Sequence, residues 1–159
     1  MFEKLEKKSM HLDDLMPLIR EQLQSGASVR IHPRGTSMLP MIREGVDSVV
    51  LSKLPEKPEK YDVILYQREN GQYVLHRLVK AGETYTFIGD NQFNKEKGIK
   101  HEQLIARVSS FYRGKKKISV DKLSYRLYCR MWYNSRGIRR IWRMLSSFVQ
   151  RGKQNQGDV

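Results

Sequence analysis

The sequence predicts a mainly β domain that follows one helix and precedes a basic helical segment. Apolar residues recur at helical spacing near both ends of the 159-residue chain, whereas they alternate with polar residues through the middle. The hydrophobic fraction of 39% is enough for a core in a chain of this length. We predict an N-terminal helical segment at 1–27, a β domain at 28–120, a basic amphipathic tail at 121–150 and a disordered end at 151–159.

The N-terminal helix is predicted from residues 11–24, where five apolar side chains fall on one helical face. Ser25 and Gly26 follow directly and are typical of a helix end. The five apolar residues are Leu12, Leu15, Met16, Ile19 and Leu23.

The β domain is predicted from six segments in which the apolar period falls from about 3.6 to 2. Asn70 and Gly71 lie between two of these segments and form the favoured pair for a tight hairpin turn. Residues 53–60 carry two prolines among charged side chains, which indicates a surface loop. The predicted strands are 28–32, 47–52, 61–67, 72–79, 84–89 and 104–112.

The basic tail carries most of the charge of the protein. Residues 113–159 hold 13 Lys and Arg side chains against two acidic ones, within a net charge of +13 for the whole chain. From 121 to about 150 apolar residues recur at helical spacing with arginines between them, and the sequence Asn-Ser-Arg-Gly at 134–137 is expected to divide this stretch into two helices. Such concentrated charge points to an anionic partner.

Three interpretations of the tail follow. In the first, which we favour, it lies on an anionic membrane surface with Trp132, Trp142 and Phe148 in the interface and arginines at the headgroups. In the second, the arginines contact the phosphates of a nucleic acid. In the third, the apolar row packs on the β domain and the arginines are simply solvated.

The redox compartment and the location follow from features that the sequence lacks. A single cysteine, Cys129, cannot form an internal disulfide, which permits a reducing compartment. No apolar stretch is long enough to cross a bilayer, and the first 16 residues carry charges where a signal peptide would be apolar. We therefore predict a cytoplasmic protein that the tail can hold to the cytoplasmic face of a membrane, with no cofactor.

Ser37 is the candidate nucleophile. It lies in an irregular segment with Gly35 before it and Pro40 after it, which can hold the hydroxyl out of the core and direct the Ser37 N–H toward the same space. On these residues alone the alternative, that Thr36 and Ser37 only cap a turn, stays open.

His76 is the candidate base among four histidines. It lies within a predicted strand beside Val74 and Leu78, on the face that should point to the core, whereas His11, His32 and His101 are expected in solvated or distant positions. A buried structural histidine is the competing interpretation. Asp90 follows the next predicted strand and could orient an imidazole, or else form an ordinary Asx-turn.

The order of four motifs resembles the catalytic core of type I signal peptidases and of the wider clan that includes LexA-like repressors. The motifs are GTSMLP at 35–40, YDVILY at 61–66, VLHRLV at 74–79 and IGDNQ at 88–92. The His-Arg pair is similar to the Ser/His branch, which contains the endoplasmic-reticulum and sporulating-bacterial enzymes, rather than to the Ser/Lys branch.

The resemblance implies a coiled β-sheet fold over about residues 28–112 and a serine peptidase with Ser37 as nucleophile, His76 as general base and Asp90 as the orienting acid. Relatives have a second aspartate six residues after the first, where this chain has Glu96, and some use a side-chain oxyanion donor where this chain has Gly35. The implied accessory positions are Gly35, Met38, Arg77 and Glu96.

This chain departs from the family in two respects. The relatives are usually anchored by N-terminal transmembrane helices, and a LexA-like self-cleavage site is not found upstream of Ser37. The expected activity is endoproteolysis of a leader peptide, a signal peptide or a dedicated precursor. Its rate should rise with pH near neutrality unless the site shifts the pKa of His76. The alternative is a non-catalytic adaptor that keeps the fold and binds a membrane or a nucleic acid.

Overall fold

The described part of the protein is an antiparallel sheet of eight strands flanked by three helices. A computed structural model describes residues 12–154, with the side chains of Asp13 and 146–154 left out. The helices are α1 (Leu12–Gln24), α2 (Leu123–Asn134) and α3 (Arg136–Gln154). The strands are β1 (Val29–Ile31), β2 (Asp47–Lys53), β3 (Val63–Gln67), β4 (Tyr73–Lys80), β5 (Tyr85–Ile88), β6 (Glu96–Ile99), β7 (Leu104–Arg113) and β8 (Lys116–Ser119). The mainly β character predicted from the sequence is confirmed.

The sheet is organised around the ten-residue strand β7. Strands follow the order β1-β2-β7-β3-β4-β5-β6, and β8 pairs with the end of β7. Register shifts interrupt four of the pairings, at Val50/Leu51, Leu65/Tyr66, Leu78/Lys80 and Tyr85/Phe87. Because bulges bend a strand and increase its twist, these irregularities let the sheet curl.

Two apolar clusters cover the two faces of the sheet, and β3 contributes to both. Val63 and Leu65 belong to the larger cluster, and Ile64 and Tyr66 belong to the smaller one. Side chains alternate between faces along a strand, so β3 is buried on both sides. The larger cluster also contains apolar residues of α1 and of the loop after β1, namely Met16, Ile19, Leu23, Met38, Met41 and Ile42.

Helix α2 is part of the packed domain rather than the start of a free tail. Tyr125 and Cys129 are buried in the larger cluster. The predicted break between two helices is found, since α2 ends at Asn134 and α3 begins at Arg136. Helix α3 continues to Gln154, into the segment predicted to be disordered, and 155–159 lie outside the described residues.

Helix α3 carries its apolar row outward. Ile138, Ile141, Trp142 and Leu145 are each more than half exposed, so these four side chains do not pack on the β domain. Trp132, at the end of α2, does not have the outward position predicted for it. Its indole N–H donates to the carbonyl of Asp90 at 3.0 Å, and its ring is covered by a guanidinium.

The other predicted interface residues divide between the described and undescribed parts of the chain. Trp142 is 74% exposed, and the Phe148 side chain lies outside the described residues. Across residues 12–154 no helix combines the length and the apolar character needed to cross a bilayer.

Candidate active site

The Ser37 loop, residues 32–46, joins β1 to β2 and is held by its apolar side chains. Met38, Met41 and Ile42 are buried in the larger cluster, while Ser37 itself is half-buried. The Leu39–Pro40 peptide bond is cis. Within the described residues neither the hydroxyl nor the N–H of Ser37 has a hydrogen-bond partner. The loop therefore anchors Ser37 through its neighbours and leaves both polar groups available.

A second loop, residues 89–95 after β5, lies directly on the Ser37 loop. The Asn91 N–H donates to the Ser37 carbonyl at 2.8 Å, and the Asn91 side chain donates to the Thr36 carbonyl at 3.3 Å. At Gly89 a Cβ atom would lie 2.7 Å from the Ser37 carbonyl oxygen, closer than such atoms approach in proteins. Glycine is therefore required at position 89 because two backbones meet there.

His76 is buried on β4, with 1% of its surface exposed. Its Nδ1 lies 3.2 Å from the Tyr66 hydroxyl and 3.3 Å from Glu96 Oε1. The Tyr66 hydroxyl donates to Glu96 Oε2 at 2.8 Å, and Arg68 pairs with the same carboxylate. Tyr66 lies on β3 and Glu96 on β6, about 14 Å apart in a flat sheet, so the curl of the sheet brings them together.

The tautomer of His76 follows from these partners. The Tyr66 proton is used on Glu96, so the hydrogen bond at His76 Nδ1 must be donated by the ring. The proton then lies on Nδ1, and Nε2 carries the free lone pair. The hydrogen bond donated by Nδ1 thus leaves Nε2 able to accept a proton.

Burial sets the charge states in this cluster. It lowers the pKa of His76 from 6.5 to about 4, although the Glu96 carboxylate acts in the opposite direction. Burial pulls the pKa of Glu96 upward, but hydrogen bonds from Arg68 and Tyr66 outweigh it and leave that pKa below its usual value. At neutral pH the pair is therefore a neutral imidazole beside an ionised carboxylate.

Asp90 does not contact the imidazole. Its carboxylate accepts two hydrogen bonds from Arg77, at 2.7 Å from Nε and 2.6 Å from Nη2, and both side chains are almost fully buried. The predicted pairing of Asp90 with His76 is replaced by two separate pairs, Asp90 with Arg77 and Glu96 with His76. The reason is alternation, which sends the adjacent residues His76 and Arg77 to opposite faces of β4.

The remaining predicted positions meet at one pocket. A cavity of about 270 Å³ is lined by Ser37 and His76 together, and also by Gly35, Met38 and Arg68. The structure thus brings the proposed nucleophile and base to one space. A larger cavity of about 540 Å³ borders α2 and contains neither residue.

Two members of the site were not predicted from the sequence, Tyr66 and Arg68. Strand alternation places Tyr66 on the face opposite Val63 and Leu65. No sequence pattern, however, links Tyr66 to Glu96, which lies 30 positions later. His32 is exposed and His101 contacts Tyr85, so neither joins the pocket, while His11 lies outside the described residues.

No grouping of His, Cys, Asp and Glu suited to a metal ion occurs within the part of the chain that the structure describes. Comparisons of the chain with models of protein families, with curated proteins and with solved structures gave no match.

Proposed function

We propose that this protein is a serine endopeptidase of the signal-peptidase-like type, with Ser37 as nucleophile, His76 as general base and Glu96 as the carboxylate that orients the base. The observation that carries the proposal is the shared pocket of Ser37 and His76, with the imidazole held at Nδ1 by Glu96 and Tyr66. The motif order of the sequence gives independent support.

The proposed reaction uses the free lone pair of His76. Nε2 accepts the hydroxyl proton as Ser37 Oγ attacks the peptide carbonyl, and the Ser37 N–H stabilises the developing oxyanion. The imidazolium then gives its proton to the departing amine, leaving an acyl-enzyme. A water molecule hydrolyses the ester in a second cycle of the same proton transfers. Glu96, 3.3 Å from Nδ1, stabilises the imidazolium formed in both steps.

Asp90 acts as a positioning residue in this proposal. Its ion pair with Arg77 fixes the loop in which Gly89 and Asn91 contact the backbone of Ser37. The loop in turn holds the Ser37 carbonyl, so Asp90 supports the nucleophile instead of the base.

The pocket also suits an extended peptide. Residues 73–75 of β4 pair with β3 on one side, whereas pairing with β5 begins only at Arg77. The other edge of 73–75, which pairs with no strand among the described residues, belongs to residues that line the same pocket as Ser37. An added peptide strand could form main-chain hydrogen bonds there, which favours a leader, a signal peptide or a dedicated precursor bound in extended form.

The test compares new protein N-termini in native host cells that carry the wild-type protein or Ser37→Ala. Ser28→Ala is the matched control, because Ser28 is exposed and lies outside the pocket. Termini present with wild type and with Ser28→Ala should be lost with Ser37→Ala and with His76→Ala. If all folded variants give the same termini, the endopeptidase proposal is wrong and the adaptor alternative replaces it.

A further inference from the structure

Helix α3 presents an apolar row to solvent through its described part. Ile138, Ile141, Trp142 and Leu145 recur at intervals of three, one and three residues, which places them on one face. Their exposed fractions are 74, 60, 74 and 58%. An exposed patch of this kind marks an interaction surface more often than a chance surface feature.

The opposite face of α3 attaches the helix to the protein through arginines. Arg136 donates to the carbonyl of Gln92, and Arg143 donates to the Asn91 side chain at 3.0 Å. Arg139 lies 3.5 Å from the centre of the Trp132 ring. The usual arrangement of an amphipathic helix is therefore reversed, because polar groups make the contact with the domain and apolar groups remain uncovered.

Helix α2 shows the same property on its outer face. Leu123, Leu127 and Met131 follow one another at intervals of four and are 72, 49 and 72% exposed. Arg126 and Arg130 lie between them and are also exposed. Both helices thus combine open apolar rows with neighbouring cations.

The positive charge of residues 122–157 indicates which kind of partner binds the exposed rows of α2 and α3. Between residues 122 and 157 there are nine Lys and Arg side chains and no Asp or Glu. A self-complementary contact between two copies would bring two such segments together with no acid to pair them. A nucleic acid would satisfy the arginines but leave the apolar rows in water. A membrane with anionic lipids satisfies both, since apolar side chains enter the interface while cations meet headgroups.

We infer that α2 and α3 form a docking surface for a membrane that contains anionic phospholipids. The apolar rows enter the interface, with Trp142 in the headgroup region that tryptophan favours. The exposed cations Lys122, Arg130 and Arg140 lie near lipid phosphates in this arrangement, whereas Arg126 pairs with Glu59 at 2.8 Å.

The surface adds a substrate class to the proposed peptidase, and this extension rests on the proposed function. Helix α3 contacts Asn91 and Gln92, whose loop contacts the Ser37 backbone. Docking of α3 therefore holds the domain that carries the Ser37 pocket at the bilayer, on the arginine side of the helix. The substrates would be polypeptides held at a membrane surface rather than free in solution.

The test is cosedimentation of the full chain with vesicles made of equal parts phosphatidylglycerol and phosphatidylcholine, or of phosphatidylcholine alone. The triple variant Ile141→Gln, Trp142→Gln, Leu145→Gln should lower the partition coefficient about 1000-fold, because each of the three interfacial apolar side chains contributes on the order of a factor of ten. Arg140→Gln should cost about fivefold at low salt. The matched control is Leu18→Gln with Val46→Gln, both 55% exposed on other parts of the surface.

The inference is supported if anionic vesicles bind the wild type, the control binds equally and the triple variant does not. It is overturned if the triple variant binds like wild type or if no vesicle binds. It is equally overturned if wild type sediments as a dimer that the triple variant abolishes, or if a DNA or RNA duplex binds and vesicles do not. Ser37→Ala should bind vesicles like wild type, so loss of proteolysis and loss of docking are separable results.

Discussion

The buried neutral state of His76 should make folding stability depend on pH in a way that one substitution removes. Burial lowers the pKa of His76 from 6.5 in the unfolded chain to about 4 in the folded protein. At a pH between these two pKa values, the imidazole is mostly protonated in the unfolded chain and mostly neutral in the folded protein. The free energy of unfolding is therefore highest above pH 6.5, where the imidazole is neutral in both states. It falls progressively as the pH drops toward 4.

The size of the effect follows from the two pKa values. A difference between 6.5 and about 4 corresponds to about 3 kcal/mol in the free energy of unfolding. The lowered pKa of Glu96 has the same sign, because its carboxylate also loses stabilising hydrogen bonds as it is protonated. Because Glu96 is present in both wild type and His76→Gln, the difference between the two reports chiefly on the histidine.

Urea unfolding followed by tryptophan fluorescence at several pH values from 4 to 7 measures this difference. Wild type should lose about 3 kcal/mol more than His76→Gln across the range. His32→Gln is the control, because His32 is exposed and lies outside the His76 pocket. Parallel curves for wild type and His76→Gln would refute the reasoning, since the imidazole would then be protonated as freely in the folded state as in the unfolded one.

Three further predictions concern the two carboxylates and the backbone. Glu96→Gln should keep the fold but lower kcat/KM about 100-fold on a substrate found by the N-terminal comparison, because a charge 3.3 Å from Nδ1 contributes a few kcal/mol. Asp90→Asn should instead lower the free energy of unfolding by about 3–5 kcal/mol. If Asp90→Asn lowers kcat/KM and Glu96→Gln lowers stability, Asp90 is the orienting acid. Gly89→Ala should destabilise by about 1–3 kcal/mol and reduce activity, since its Cβ would meet the Ser37 carbonyl, whereas Gly82→Ala, whose nearest contact is 3.7 Å away, should be nearly neutral in urea unfolding. Tyr61 has a φ of 81°, so Tyr61→Gly should be about 1 kcal/mol more stable than Tyr61→Ala; equal stabilities would show that the backbone there is not strained.

Alternation in the sequence predicts six of the described strands, β1 among them, and misses β6 and β8. Strands β2, β3, β4, β5 and β7 carry regular apolar patterns and lie close to their predicted bounds. Strand β6 has one buried residue, Ile99, and β8 is largely lysine, so neither has a pattern to detect. Both form because a neighbouring strand offers free backbone groups, which is a tertiary effect.

The choice of carboxylate could not be made without the register of the strands. Residues opposite each other in a sheet share a face, and Arg77 lies opposite Ile88, so Asp90, two residues later, joins Arg77. Leu78 lies opposite Phe87, and Phe87 lies opposite Glu96, so Glu96 joins the face of His76. Ser37 and His76 could be proposed from motif order alone, whereas the side chains that contact His76 depend on pairings that the sequence does not encode locally.

The contacts of Arg77 limit how far the chain can be shortened. Its guanidinium contacts the carbonyl of Tyr61, the carboxylate of Asp90 and the sulfur of Cys129, and thereby joins three distant parts of the chain. A truncation at residue 120 would remove the α2 side of this centre and admit water to an ion pair one residue from His76. A shortened version of the protein must therefore keep α2 as well as the strands.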